Sequence, residues 1–580
     1  MKRLASLVAL GLALAACGDD RVPPPLGLSA DAGDDTPKRG GRLRLATYSD
    51  IRSLDAAVAF DEVSHSIEQL IYAKLIDFSP VGEGFEPDLA ESWTVSEDGL
   101  RYVFHLRRGV IFHDGSPFDA TDVKRSLERT LSPDTPCPAS AFYERIKGYP
   151  AYVARKAKHL EGVKVEGDHI VAIELSEPDA TLLATLALAV AAPVCRSAGA
   201  AYDRDFSTRA CGAGPFRLRS WEAGRSVTLD RFDGYYRPGL PYLDGVEWQL
   251  GVPPFTQRFK FEAGELDFLR EMGEADLSRY LRSPEWKGHG AWEPGKSIHS
   301  VFMNTERAPF DRVEVRRAVA AAIDRDAVVK IRPGNVRAAS RLVPPAVPGY
   351  DPSPGQRFDY AAALDHMARA GLAFDPKTRT GGWPGEIDFV TTGGTFDQEA
   401  AEIYQQQLAR IGLRIRVKTL SYAAYLAESA RKGASAMGSD GWAMDYPDPS
   451  DFFEPILHSR AIADEDSQNR AFFRNPRFDD LLDRARKETR WAERVALYRQ
   501  AEDVVMSEAP WAIVYTRQWY EVWHPYLRGY RIHPALSEHV AFTWLDVAAR
   551  SRALRASRDP LSQDALAVRL AGWARPPGRR

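Results

Sequence analysis

Gly441-Trp442-Ala443-Met444-Asp445-Tyr446-Pro447-Asp448-Pro449 packs two aromatics, two carboxylates and two prolines into nine residues. Tyr446-Pro447 and Asp448-Pro449 do not fit a helix interior, because proline lacks an N–H and drives the preceding residue to extended backbone. The stretch therefore reads as a rigid loop that carries an acid beside an indole. Loops of that kind on a large scaffold more often bind than fill space. The competing reading is a turn whose Trp442 plugs the core and whose aspartates cap the next segment. The surrounding chain has to decide.

That chain is 580 residues long, too long for one hydrophobic core and enough for about two to four domains. With 44% hydrophobic and 27% charged residues it is globular in composition, and a formal net charge of −4 gives no reason to expect a nucleic-acid partner. Thirteen Trp, 22 Tyr and 26 Phe suit enclosure of an organic ligand, although large cores also use them.

The N-terminus is more specific. Lys2 and Arg3 precede an apolar run over residues 4–14, followed by Ala15-Ala16-Cys17. A run this short is a signal peptide and not a membrane span. Leu14-Ala15-Ala16-Cys17 resembles a bacterial lipobox, in which cleavage leaves Cys17 as a lipidated N-terminus. Residues 18–39, rich in Pro, Gly and Asp, read as a flexible tether. No later stretch is apolar enough to span a bilayer, and the Ala/Leu-rich residues 180–194 read as a buried helix. Of Cys137, Cys195 and Cys211, one pair is expected to be bridged outside the cytoplasm. Cys195 with Cys211 is the pair expected, closing a short loop worth about 3 kcal/mol, although spacing alone does not fix the pairing.

Along the chain, residues 42–46 alternate apolar with basic and start the first strand. Residues 64–75 show one apolar helical face. Asp98-Gly99 and Gly167-Asp168 mark two hairpins, and Thr121 or Asp122 caps a helix running to about Thr130. From Ile298 onward, strands alternate with helices at 313–323, 360–370, 398–411, 478–489 and 492–507, an α/β pattern. Residues 549–580 are basic and read as a disordered tail, or as an arm touching acidic lipid headgroups.

The motifs fall in a recognisable order. Leu89-Ala90-Glu91-Ser92-Trp93 is followed by Phe112-His113-Asp114-Gly115-Ser116-Pro117-Phe118 and Asp122-Val123. Then come Gly212-Ala213-Gly214-Pro215-Phe216, Asp233-Gly234-Tyr235-Tyr236 and Ala263-Gly264-Glu265-Leu266-Asp267. Asn304-Thr305, Pro309-Phe310-Asp311, Val315-Arg316-Arg317-Ala318 and Ile323-Asp324-Arg325 lead to Trp442-Ala443-Met444-Asp445-Tyr446-Pro447-Asp448-Pro449. This order resembles the extracytoplasmic solute-binding proteins of family 5, the peptide, dipeptide and nickel receptors of ABC importers, over roughly residues 40–548. The resemblance implies an α/β, periplasmic-binding-protein-like Venus flytrap: two α/β lobes joined at a hinge, plus an extra domain. Lobe I would combine 40–74, 198–296 and 520–548, the extra domain 75–197, and lobe II 297–519. Residues 1–17 would be the signal peptide, 18–39 the tether and 549–580 the tail.

The resemblance also implies a site. In peptide-binding members the Asp of the Trp-x-x-Asp motif accepts the ligand's ammonium, and that position is Asp445, enclosed by Trp442 and Tyr446. An oligopeptide receptor has an Arg three residues before that Trp. Here the position is Ser439, followed by Asp440, so the base for a ligand's far carboxylate is missing. The implied partners are a peptide or small solute and a membrane permease, for a monomer lipid-anchored on the periplasmic or extracellular face of the envelope. A nickel chelate, an opine or an oligosaccharide is the alternative solute, and an envelope sensor or chaperone the alternative role. The sequence holds no Gly-x-Ser-x-Gly, His-Glu-x-x-His or phosphate loop, and no zinc spacing of its cysteines. It gives no reason to expect an enzyme, a cofactor or a resident metal.

Overall fold

Alternation in Arg42–Ala46 turns Leu43 and Leu45 inward, and this strand pairs in parallel with Gly245–Gln249. Ser226–Arg231 and then Phe216–Glu222 extend the sheet antiparallel. The computed structural model describes residues 36–59, 61–79, 84–532 and 540–558, and Pro25 alone ahead of them. Cys17, the signal segment, nearly all of the tether and the tail beyond residue 558 lie outside the described residues. A smaller sheet completes the first lobe, with Tyr520–Trp523 between Phe268–Leu269 and Gly290–Trp292.

The extra domain is an antiparallel sheet in the order Ala90–Val95, Arg101–Leu106, Ile170–Glu174, Val163–Gly167. Its helix Ala120–Thr130 is capped by Asp119, two residues before Thr121 and three before Asp122, in a reciprocal box with Asp122. From this helix Arg129 reaches Asp55 of the first lobe with two parallel bonds of 3.0 and 2.6 Å, both side chains 1% exposed. One apolar cluster, including Leu43, Phe104 and Phe216, runs through the first lobe and the extra domain.

The second lobe is a six-stranded mixed sheet in the order Val336–Ala338, Trp511–Arg517, Ser297–Met303, Met437–Ala443, Glu386–Thr392, Arg414–Leu420. Its middle strands are apolar on both faces, as a sheet covered on both sides requires. Val301, Met303, Ala512 and Val514 feed one core, and Ile298, Phe302, Trp511 and Ile513 feed the other. The chain passes between lobes twice, once after Gly290–Trp292 and once before Tyr520–Trp523. The crossings lie side by side, with the Glu293 N–H donating to Trp519 O at 2.8 Å.

Three expectations change. The helix read at 64–75 is Glu62–Ile71, started by Asp61, which accepts from the Ser64 N–H at 3.0 Å and hydroxyl at 2.8 Å. Residues 180–194 hold only Leu182–Leu186 and a 3-10 turn, Ala189–Ala191. Pro193 keeps Ala192 extended at ψ 140°, and Leu188 is extended at ψ 149°. Residues 549–558, assigned to the tail, belong instead to the helix Val547–Arg558. Arg550 fastens it by donating to Arg42 O at 3.0 Å and pairing with Asp267 at 3.3 Å.

The Arg129–Asp55 pair yields a stability test. Asp55→Ala strands a buried guanidinium and should cost about 3–5 kcal/mol, whereas Asp55→Leu with Arg129→Met should recover most of it. Urea unfolding of the two variants checks both values.

Candidate functional site

A cavity of about 1050 Å³ opens where both lobes and the extra domain meet around the crossings. Residues 441–449 build part of its second-lobe wall. Gly441, Trp442 and Ala443 are strand and not loop, because Met437–Ala443 pairs along its length with Ser297–Met303, Trp442 opposite Ile298. Gly441 suits this close approach: a Cβ there would lie 2.7 Å from His299 Nδ1. On the other side the strand meets Glu386–Thr392 only at Met437 and Gly438. From Ser439 to Ala443 that edge has no strand partner among the described residues.

The turn that follows is pinned by two carboxylates. Asp448, 2% exposed, accepts from the Ser450 N–H at 3.0 Å and hydroxyl at 2.8 Å and from Tyr498 OH at 3.1 Å, and it pairs with Arg494. Asp451, buried on the helix Ser450–Leu457, accepts from the Asp445 N–H at 2.8 Å and the Trp442 indole N–H at 3.3 Å. These bonds leave the Asp445 carboxyl as the group that faces the cavity. It has no hydrogen-bond donor and no cation among the described residues. Burial pushes it up to about 7. Burial and then the charge of Asp445 raise Asp451 well above the carboxylate range, against the pull of the bonds it accepts.

Trp442 lines the cavity and also packs on the core cluster that holds Phe302 and Phe452, so it combines both readings of the stretch. Tyr446 does not line the cavity. The extra domain provides an apolar socket that captures its ring, edge-on to Phe142 at 5.2 Å, with its hydroxyl 3.1 Å from Ser450 Oγ. The expectation that Tyr446 encloses the ligand is therefore corrected. Cys195 and Cys211 form a disulfide, Cα–Cα 5.5 Å, away from the cavity, and Cys137 is free.

Seven carboxylates face the cavity against four lysine or arginine side chains. Arg270 is held between Glu62 at 2.5 Å and Glu293 at 2.7 Å. Lys296 also pairs with Glu293, and Arg470 with Asp440, which further accepts from Tyr425 OH at 3.4 Å. Arg517, at the end of its strand, is exposed and has no carboxylate partner among the described residues. Two imidazoles face the same space. Burial and nearby Lys74 and Lys296 lower His65 to about 4; burial and Arg517 lower His299, stacked on Tyr515 at 4.5 Å, to about 3. Both are neutral. Sequence reasoning missed Arg470, Arg517, Lys296 and Glu68, whose shared surface is created by folding, not by spacing.

A family model described as bacterial extracellular solute-binding proteins, family 5 middle, matches residues 84–464. The chain belongs to that family. Heme-binding protein A of Haemophilus influenzae is 31% identical to this family 5 protein over 480 residues, covering 80% of this chain and 84% of the relative. The glutathione-binding protein GsiB of Salmonella choleraesuis is 28% identical over 504 residues, covering 84% and 92%. A solved clavulanic acid biosynthesis oligopeptide binding protein 2 matches with a TM-score of 0.80 at 25% identity, covering 90% of this chain and 99% of that one. The fold is accordingly the periplasmic-binding-protein-like Venus flytrap of ABC-transporter solute-binding proteins. No helix among the described residues is long and apolar enough to cross a membrane.

The state of Asp445 has a measurable sign. Its folded pKa is raised from 3.8 to about 7, so its share of stability is fully present below the unfolded value and is lost as pH rises through about 7. Asp445→Asn removes this loss. Its melting temperature should match wild type near pH 4, exceed it increasingly toward pH 7, and keep a constant lead above that.

Proposed function

We propose that this family 5 protein captures peptides with a free amino terminus between its closing lobes, holds the ammonium on Asp445, and delivers them to an ABC permease. The observation that carries this reading is the Asp445 carboxyl facing the cavity without a cation. An ammonium supplies the missing partner, and such a charge-assisted bond contributes about 1.5–3 kcal/mol. The edge over residues 439–443 has no strand partner among the described residues. Beyond the Ser439 carbonyl taken by Tyr425 and the Gly441 N–H taken by Asp440, it offers main-chain groups to an extended peptide, which tolerates varied side chains. Arg517 would take the far carboxylate, in place of the base that Ser439 lacks.

Haem and glutathione, named for two relatives, fit the wall less well. Haem carries two propionates, and glutathione two carboxylates to one ammonium. Either brings net negative charge to a cavity where carboxylates outnumber cations seven to four. A nickel chelate, an opine or an oligosaccharide is the alternative solute. The lipobox-like Leu14-Ala15-Ala16-Cys17 supports anchoring by lipid at Cys17 on the outer side of a membrane.

A thermal-shift screen separates these solutes, because a ligand bound only by the folded state raises the melting temperature. Di- to pentapeptides should stabilise the protein, and haem, glutathione, nickel chelates, opines and sugars should not. Small-angle scattering should show compaction with the stabilising peptide. Compaction with none of the solutes would favour an envelope sensor or chaperone.

Asp445→Ala should weaken free-amine peptides at least tenfold, about 1.4 kcal/mol, and leave N-acetylated peptides unchanged. In wild type the amine must meet an ionised Asp445, so affinity should fall as pH drops below about 7. Arg517→Gln should weaken peptides with a free carboxylate and spare amidated ones. Calorimetry on this peptide set tests all three, and equal affinities for acetylated and free peptides would refute the amine anchor.

A further inference from the structure

Asp445 is not alone in the cavity wall: Glu68 is a second carboxylate there without a cation among the described residues. It lies in the first-lobe helix Glu62–Ile71, is 1% exposed, and lines the cavity. Its Oε1 has no hydrogen-bond partner, and no cation pairs with it among the described residues. The charges that act on it, Asp55 and Asp61, are both negative. Arg129 is committed to Asp55, and Lys74, just beyond the helix, is bonded to Asp77 at 2.8 Å. The neighbours explain no structural need for an acid here. Left unpaired, a buried carboxyl is destabilising.

The surfaces beside it are apolar. The helix packs on the Ala189–Ala191 turn, whose Val190 lines the cavity with Leu188 and Phe78. Apolar walls beside an acid suit a lysine-like chain, whose methylenes lie against hydrocarbon while its ammonium reaches the polar group. A neutral chain would leave Glu68 unpaired, and an acidic one would face Asp61 of the same wall as well.

We propose that Glu68 is a second cation acceptor, so that the solute is a peptide with a basic side chain in addition to its free amino terminus. The proposal rests on the peptide reading given above. The two cations of one ligand then fall on opposite lobes, one on Glu68 of the first and one on Asp445 of the second. A ligand carrying both ties the lobes together, and a ligand carrying one does not.

The test uses Ala-Lys-Ala, its norleucine counterpart and cadaverine on wild type and Glu68→Gln, with Glu68→Met run alongside because one substitution at a buried site can fail to fold. Calorimetry should give wild type a preference for the lysyl peptide of at least about tenfold, shrinking to within about threefold in either variant. Equal affinity of wild type for both peptides, or a preference that survives the substitutions, would overturn the proposal. If wild type binds neither tripeptide, the peptide reading fails, and cadaverine then judges Glu68 separately. A cadaverine-induced rise in melting temperature confined to wild type supports Glu68 as a cation site, and no rise in wild type overturns it.

Discussion

One buried guanidinium fixes how the two lobes are joined. Arg270 pairs with Glu62 at the start of a first-lobe helix, with Glu293 on the first crossing, and at 3.4 Å with Glu521 just past the second. The desolvation of such a group is offset only when several carboxylates surround it, and here they come from three segments distant in sequence. Lys296 adds a cation on Glu293, and Trp519 lies 5.8 Å from the guanidinium. The crossings are thus held to the first lobe, while the second lobe keeps separate cores of its own.

Much of this was legible in the chain. The middle strands of the second lobe show as continuous apolar runs. Alternation then assigns residues 301, 303, 512 and 514 to one face and 298, 302, 511 and 513 to the other. Helix ends were harder, because a cap such as Asp61 or Asp119 acts through one side chain and leaves no periodic signature. The alanine-rich stretch misled for a related reason. Alanine favours a helix wherever nothing opposes it, and Pro193 does.

At the cleft, Asp445 and Trp442 line the cavity and Asp448 pins the turn, all within the one short stretch that the sequence singles out. Tyr446 was assigned to the wrong side because its fate depends on Phe142, some three hundred residues earlier in the chain. The same holds for Glu68 beside Val190. Pairings across domains carry no local pattern.

The central place of Tyr520–Trp523 in its three-stranded sheet also has a temporal side. Phe268–Leu269 and Gly290–Trp292 are made early, yet they do not pair with each other; each pairs with the strand between them, which follows after the whole second lobe. A ribosome must therefore finish that lobe before the first can close. A chain cut short anywhere ahead of Tyr520 leaves both outer strands without their partner, and such open edges are templates for pairing with other chains.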